Sequence, residues 1–355
     1  MILKTWKIIT FVSFLIVPLS FCSGSPSSNA VIKAKKTMEL ADPFMGDWQG
    51  EWEIDSGADY GSLAAQVIAL GKGQYRVVLM NEFDTRQDPI AVLGGRRDGE
   101  LVEFEGKTFL SEQGVELEIQ AVIKAGKFSG KFRGDESGSF GMSKSVRLSP
   151  KLGVKPPEGA IVLFNGKNFD QWKHAKKKKG RDDKVQWELV DGAMRVKPGT
   201  GSIITKKQFG DVKLHIEFRT PFMPDKRGQG RGNSGIYLQG RYEVQILDSY
   251  GLEGKDNECG GIYKVGPPLV NMCAPPTQWQ TYDITFRAPR FDSAGKIISK
   301  PNLTVLHNNV EVHHETKVGG ATTASLGGKA SQPGPIYLQD HGNKVEFRNI
   351  WVVEL

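Results

Sequence analysis

Residues 241–247 alternate polar and apolar side chains, and the polar members are Arg241, Glu243 and Gln245. A period of two is typical of a β-strand and places these three side chains on one face. A row of guanidinium, carboxylate and amide groups can bind the hydroxyl groups of a sugar, or it can form an ordinary solvated sheet face. Within this row, Glu243 is the best candidate for a catalytic base.

A related pattern recurs near the C-terminus. The tetrapeptide Ile-Tyr-Leu-Gln occupies 236–239 and again 336–339, and the second copy runs into the turn Asp340-His341-Gly342. An imidazole exchanges protons near neutral pH, so His341 is the second catalytic candidate, with capping of the turn as its structural alternative. We predict that the two copies form one binding face, with these substrate partners: Arg241, Gln245, Tyr237, Gln239, Asp248, Gln339 and Asp340.

The same strand argues against conventional glycoside hydrolysis. A retaining glycosidase needs two carboxyl groups about 5–5.5 Å apart, which jelly-roll glucanases place on one strand as Glu-x-Asp-x-x-Glu. Here the segment reads Glu243, Gln245 and Asp248 at the three positions, so an amide replaces the central acid. Without a bulge, Asp248 faces away from Glu243. The chain also lacks a Gly-x-Ser-x-Gly elbow and any Cys/His spacing typical of zinc sites.

The remaining histidine, loop and cysteine candidates are predicted to have structural roles. His215 alternates onto the polar face of the predicted strand 212–218, where we expect it to be solvated. The glycine-rich loop 225–233 is interpreted as a flexible lid or rim. Cys259 and Cys273 form either a disulfide or a pair of buried free thiols.

The elements that position these residues are predicted to be strands throughout. Helical patterns are nearly absent from the 355 residues, and 42 glycines and 18 prolines punctuate short β-branched and aromatic runs. Residues 43–150 form a small all-β accessory domain, predicted as a meander, an open sheet or a small barrel. A Pro/Gly-rich boundary follows, and about a dozen strands in 158–355 favour a two-sheet sandwich of jelly-roll type.

The N-terminus predicts export. Residues 1–24 have the basic, apolar and small-residue layout of a signal peptide, and 25–42 form a polar tether. Cys22 is either the lipid-anchored cysteine of a lipoprotein or a part of a signal peptide from which the protein is exported without a lipid anchor. We therefore expect the protein in the periplasm or at the cell surface. The net charge of +7 is concentrated in 173–184 without interleaved aromatic residues, so we predict no nucleic-acid partner.

Several motifs, in order along the chain, resemble those of the 3-keto-disaccharide hydrolase domain family. They are Leu163–Lys167 with Trp172, Gly232–Tyr237, Tyr242–Tyr250, Trp279–Asp283, Leu338–Gly342 and Phe347–Trp351. The resemblance covers about 158–355 and leaves 43–148 outside. It implies an all-β chain with a C-terminal concanavalin-like jelly roll, and the cleavage of disaccharides or glycosides that are oxidised at C3.

The implied chemistry needs one base rather than two paired carboxylates. A ketone at C3 acidifies the C2 proton, a base removes it, the aglycone leaves from C1, and water adds back. Glu243 or His341 is then the base and the other the acid, while Arg241 with Gln245 or Gln339 stabilises the oxyanion and holds hydroxyl groups. A divalent metal is the alternative to the cationic stabiliser, and no other cofactor is implied. The competing function is a non-catalytic carbohydrate-binding protein of the cell surface.

Overall fold

The computed structural model describes residues 42–57, 60–110, 114–175 and 183–355. The predicted signal peptide, Cys22 and nearly all of the tether lie outside these residues, as does most of the basic cluster. The described residues contain strands, turns and a single 3₁₀ turn at Gly228–Gly230. None of them belongs to a helix with the length and apolar character needed to cross a bilayer.

The first domain is a closed barrel of eight antiparallel strands in meander order. The strands are β1 (Gly46–Ile54), β2 (Tyr60–Gly71), β3 (Gln74–Met80), β4 (Ala91–Asp98), β5 (Leu101–Leu110), β6 (Val115–Lys124), β7 (Lys127–Arg133) and β8 (Gly138–Ser145). Each strand pairs with the next, and β8 closes the barrel against β1. Of the three architectures predicted for this region, the barrel is the one observed.

Side chains fill the barrel. Alternate residues of each strand point inward, as Tyr75, Val77 and Leu79 do in β3. Aromatic rings meet edge to face in the centre, with Phe128 contacting both Trp48 and Phe140 at centroid distances of 5.8 and 5.7 Å. The interior is therefore a packed core.

The second domain is a sandwich of two sheets with a small two-stranded ribbon. Its strands are β9 (Ile161–Phe164), β10 (Trp172–His174), β11 (Glu188–Val190), β12 (Ala193–Arg195), β13 (Ile203–Thr205), β14 (Val212–Arg219), β15 (Ser234–Leu238), β16 (Tyr242–Ile246), β17 (Gln280–Arg287), β18 (Arg290–Phe291), β19 (Ile297–Ser299), β20 (Asn302–His307), β21 (Val310–Lys317), β22 (Tyr337–Leu338) and β23 (Glu346–Glu354). The five-stranded sheet has the order β10-β13-β22-β15-β16, and the eight-stranded sheet has the order β11-β12-β23-β14-β17-β20-β21 with β9 beside β23.

The core of the sandwich lies between the two sheets. Val244 and Ile246 point inward from β16 and are fully buried, as are Ile216 and Phe286 on the opposite sheet. Tyr242 contacts Phe286 across the gap, with ring centroids 5.5 Å apart. The apolar positions of β16 therefore face the core as the alternation predicts, and its polar positions face outward.

The outer face of the eight-stranded sheet is covered around His215, which corrects the prediction that this residue is solvated. His215 is fully buried because the interdomain segment crosses this face. Glu217 accepts a hydrogen bond from the Gly153 backbone at 2.6 Å, and Asn349 donates to the Val154 carbonyl at 2.9 Å. The segment 149–154 is therefore a packed strap across the sheet.

The strap covers a buried ionic network. His215 Nδ1 lies 2.8 Å from Asp283, and Arg348 donates to Glu217 at 2.6 Å. Burial alone would lower the pKa of His215, but its hydrogen bonds to Asp283 and Glu217 raise it to about 8. Burial alone would raise the pKa of Glu217, but His215, Arg348 and Asn349 lower it to about 2. Both groups are therefore charged at neutral pH.

The two cysteines of the described chain are buried free thiols, the second of the two alternatives. Cys259 Sγ lies 3.2 Å from the hydroxyl of Tyr282. A tight turn joins β20 to β21, and in it Asn308 and Asn309 adopt positive φ, which asparagine tolerates.

Candidate active site

Residues of three strands form one row on the outer face of the five-stranded sheet. Tyr237 of β15 pairs with Glu243 of β16 on one side and with Tyr337 of β22 on the other. The Tyr237 and Tyr337 rings lie 4.5 Å apart between centroids. We call this surface the site face. It joins the two Ile-Tyr-Leu-Gln segments as predicted, and it adds Tyr337 to the candidate residues.

Glu243 is the carboxylate of the site face, and its pKa is shifted to near neutrality. Glu243 is only 4 % exposed. Burial raises its pKa to about 7, and a hydrogen bond with the Tyr237 hydroxyl offsets part of the increase. Burial and the nearby Glu243 charge in turn raise the pKa of Tyr237 well above its ordinary value. Glu243 can therefore take up and release a proton near neutrality.

Gly235 makes room for this carboxylate. It precedes Tyr237 by two positions in β15 and pairs with Gln245. A Cβ atom at Gly235 would lie 2.3 Å from Glu243 Oε1 and 3.1 Å from the Tyr237 ring. The position of the carboxylate therefore requires glycine here, a requirement that the sequence analysis missed.

A long loop covers the row from above. The loop, residues 318–336, joins β21 to β22 and is anchored on the turn between β15 and β16. Thr322 accepts a hydrogen bond from the Glu243 backbone at 3.0 Å, and the Thr323 carbonyl accepts one from the Tyr237 hydroxyl at 3.1 Å. The polar face is therefore buried, which excludes the alternative of an ordinary solvated sheet face. We call residues 318–336 the cover loop.

Arg241 holds the cover loop in place. Its guanidinium donates to the carbonyls of Gly327, Lys329 and Gln332 at 3.3, 2.7 and 2.9 Å. It also donates to Gln239, whose amide bonds to the Phe209 carbonyl at 3.1 Å. Both side chains are thus engaged with the chain itself, and their predicted role as substrate partners stays a prediction.

Tyr263 extends the row beyond the edge of the sheet. Ile262 forms an isolated bridge with Val244, which places the next residue, Tyr263, beside Glu243. Its phenol is near enough to influence the pKa of Tyr237. Tyr263 is half-buried and joins the candidate residues.

Gln245 belongs to a cluster of amides at the far end of β16. Its Nε2 lies 3.3 Å from Gln229 Oε1 and 3.4 Å from the Asn257 carbonyl. Gln229 also bonds to Asn233, which opens the Asn-Ser-Gly motif before β15. Asp248 follows the strand but pairs with Arg231 at 2.6 Å, and burial raises its pKa despite that partner.

The turn after β22 borders the same end of the sheet. Gln339 donates to the Tyr237 hydroxyl at 3.3 Å, which connects it directly to the Glu243 environment. Asp340 accepts from the Gly201 backbone at 2.8 Å. His341 is exposed, and the turn is tied to β15 through Asn343, which accepts from the Asn233 backbone at 2.7 Å. The catalytic role of His341 stays a prediction.

No metal cluster marks this site in the part of the chain that the structure describes. No group of three or more His, Cys, Asp and Glu side chains among those residues could hold a metal ion. Two shallow hollows open on the outside of the barrel along β1, β2 and β8, and neither includes Glu243 or His341. Glu243 instead lies beneath the cover loop.

The sandwich domain matches a known family of domains. The model of the 3-keto-α-glucoside-1,2-lyase-like domain matches residues 159–353, and the chain belongs to this family of glycoside-processing domains. The barrel lies outside the match, as predicted. A search among curated proteins finds none that matches.

Two solved structures from Parabacteroides distasonis are similar to this chain, and each is described as a proposed glycosyl hydrolase. The first is 37% identical and covers 56% of this chain and 85% of its own, with a TM-score of 0.49. The second is 21% identical and covers 57% of this chain and 98% of its own, with a TM-score of 0.42.

Proposed function

We propose that the jelly-roll domain cleaves 3-keto-disaccharides or other 3-keto-glycosides outside the cytoplasm, by elimination followed by hydration. The observation that carries the proposal is Glu243, a single buried carboxylate whose pKa lies near 7. Removal of a proton beside a ketone requires one such base. Membership of the family supports the same substrate class.

In the first step, Glu243 takes the C2 proton and the electron pair of the C2–H bond forms the enolate of the C3 ketone. The enolate then expels the C1 oxygen of the aglycone, which forms a C1–C2 double bond and restores the ketone. His341 donates a proton to the departing oxygen. Water adds at C1 and a proton returns to C2, so the net reaction is hydrolysis.

Tyr237 provides a place for the transferred proton. Its hydroxyl has two acceptors within reach, the Glu243 carboxylate and the Thr323 carbonyl. When Glu243 is ionised, the hydroxyl donates to it. When Glu243 is protonated, it donates to the Tyr237 oxygen and the hydroxyl turns to Thr323. The amides of Gln339 and Gln245 are the proposed partners of the enolate oxygen and the sugar hydroxyls.

An assay on matched sugars tests this function. Purified protein is incubated with 3-keto-trehalose, 3-keto-lactose and the unoxidised parents, and free sugar is measured. Turnover of the keto forms alone is expected. Binding without turnover of any keto sugar would instead support the alternative of a carbohydrate-binding protein.

A substitution assigns the base. Glu243→Gln keeps the size of the side chain but replaces the carboxylate with an amide that cannot accept the C2 proton, and it should lower kcat/KM by about 10²–10⁴-fold. Glu311→Gln, at an exposed carboxylate of β21, is the matched control. In the wild type, kcat/KM should rise with pH through an apparent pKa near 7, because only ionised Glu243 accepts a proton. A rate independent of pH between 5 and 8 would count against this role.

A further inference from the structure

We propose that the barrel is a positioning domain for the active site: it fixes residues 248–263, which hold Gln245 and Tyr263 beside Glu243. This inference rests on the proposed function. The barrel lies outside the family match and no activity is assigned to it, but one end of it is built into the loops next to the site. We call residues 248–263 the docking segment.

Arginines of the barrel hold the near end of the docking segment. Arg76 of β3 donates to the Gly251 carbonyl at 3.0 Å, and Arg86 of the loop between β3 and β4 donates to the Gly254 carbonyl at 2.6 Å. Hydrogen bonds from a charged donor are stronger than those between neutral groups. Two points three residues apart are thus fixed by the same domain.

The contact is reciprocal and tightly packed. Arg227 and Arg231 of the jelly roll donate back to the carbonyls of Leu70 and Ala69 at the end of β2, at 2.6 and 3.4 Å. A Cβ atom at Gly251 would lie 2.6 Å from the Ile68 side chain. This fit leaves little freedom for the two surfaces to slide.

A buried polar trio completes the junction. The Tyr250 hydroxyl donates to Asp47 at 2.6 Å, and Arg147 donates to the other oxygen of the same carboxylate at 2.9 Å. Asp47 and Tyr250 are each 2 % exposed. A carboxylate is buried without large cost only where such partners are in place. The trio therefore sets one relative position of barrel and docking segment.

The far end of the docking segment is part of the site. The Asn257 carbonyl accepts from Gln229 at 2.7 Å and from Gln245 at 3.4 Å. The backbones of Gly260 and Gly261 then bond to Gln245, at 3.1 and 2.9 Å, which leads directly to the Ile262 bridge and Tyr263. A displacement at 251–254 is thereby transmitted to the neighbours of Glu243.

The test removes the arginine contacts and keeps the folded domains. Arg76→Met/Arg86→Ala is compared with Arg133→Ala, an exposed arginine of β7. The double variant should lose about tenfold or more in kcat/KM on a 3-keto-disaccharide, because small misplacements of catalytic groups are costly. Its apparent pKa for kcat/KM should also move to lower pH, because water then reaches Glu243. Tyr250→Phe, a milder change, should act in the same direction.

Hydrogen exchange separates this inference from the proposed function. Amides of 257–263 should exchange faster in the double variant than in Arg133→Ala, whether or not any sugar is turned over. Unchanged exchange, or a kcat/KM and pH profile equal to those of the control in an active protein, would overturn the positioning role. Inactivity of the wild type on every keto sugar would instead refute the proposed function.

Discussion

At the scale of single residues, the proposed chemistry depends on one carboxylate and the few groups that surround it. The Tyr237 hydroxyl lies within hydrogen-bonding reach of Glu243, Gly235 leaves space for the carboxylate, and Thr322 accepts a hydrogen bond from the Glu243 backbone. Because burial opposes ionisation, this environment raises the pKa of the glutamate to about 7, close to a neutral pH. The side chain is thereby suited to accept a proton of modest acidity.

Gly235 offers the sharpest test at this scale. In Gly235→Ala the new methyl group would overlap Glu243 Oε1, so the carboxylate must rotate away from Tyr237. We expect kcat/KM to fall by about a hundredfold with the fold retained. Gly210→Ala is the matched control, because a Cβ atom there meets no atom within 4 Å. Steady-state kinetics and circular dichroism of both variants check this; equal activity would show that the carboxylate position is unimportant.

The sequence predicts Glu243, Tyr237 and Gln339 on one face, but it does not predict Gly235 or Tyr263 beside them. Alternation places Glu243 and Gln245 on one face, and that inference is local. Tyr263 reaches the same face through a single bridge to Val244, and no periodic pattern marks such a bridge. Gly235 becomes informative only after the pairing of β15 with β16 is known.

At the scale of elements, the sequence predicts the strands, but it does not predict the loops that pack over them. Of the two alternatives for the site face, an ordinary solvated face is excluded because the cover loop folds back over β15 and β16. The prediction for His215 was wrong for the same reason, since the strap 149–154 lies across β14. In each case a distant segment without regular structure determines the burial.

The network beneath the strap predicts a pH dependence of stability. The pKa of His215 is raised above that of the unfolded chain, so its contribution is complete below about pH 6.5 and lost as pH rises through about 8. A shift of that size corresponds to about 2 kcal/mol. Denaturant unfolding at pH 6.5 and 9 should show this loss in the wild type. The loss should be absent from His215→Gln, and the same decline in both proteins would be evidence against the network.

At the scale of the whole molecule, the barrel and the sandwich share one continuous hydrophobic core. The buried Asp47 lies at their junction, with Tyr250 and Arg147 as its partners. The prediction of two domains describes the order of the chain, because the family resemblance begins only after the barrel. The prediction does not describe how closely the two domains associate. Their contacts include hydrogen bonds from arginine side chains to backbone carbonyls, and such bonds leave no pattern in a sequence.

This junction predicts that the molecule unfolds as one unit. Calorimetry of the wild type should show a single transition, because separation of the domains would leave Asp47 buried without partners or force it into water. Asp47→Asn removes the charge that Arg147 and Tyr250 share, and should lower the transition temperature or divide it into two steps. Two well-separated transitions in the wild type would contradict a shared core.

The central claim is that Glu243 removes the C2 proton of a 3-keto-glycoside, and isotopic substitution at C2 tests it most directly. The rate of cleavage by the wild type is compared for substrates with hydrogen or deuterium at that carbon. We predict slower cleavage of the deuterated sugar, together with a product that has acquired hydrogen from water at C2. Equal rates for the two substrates, with the deuterium retained in the product, would contradict the account.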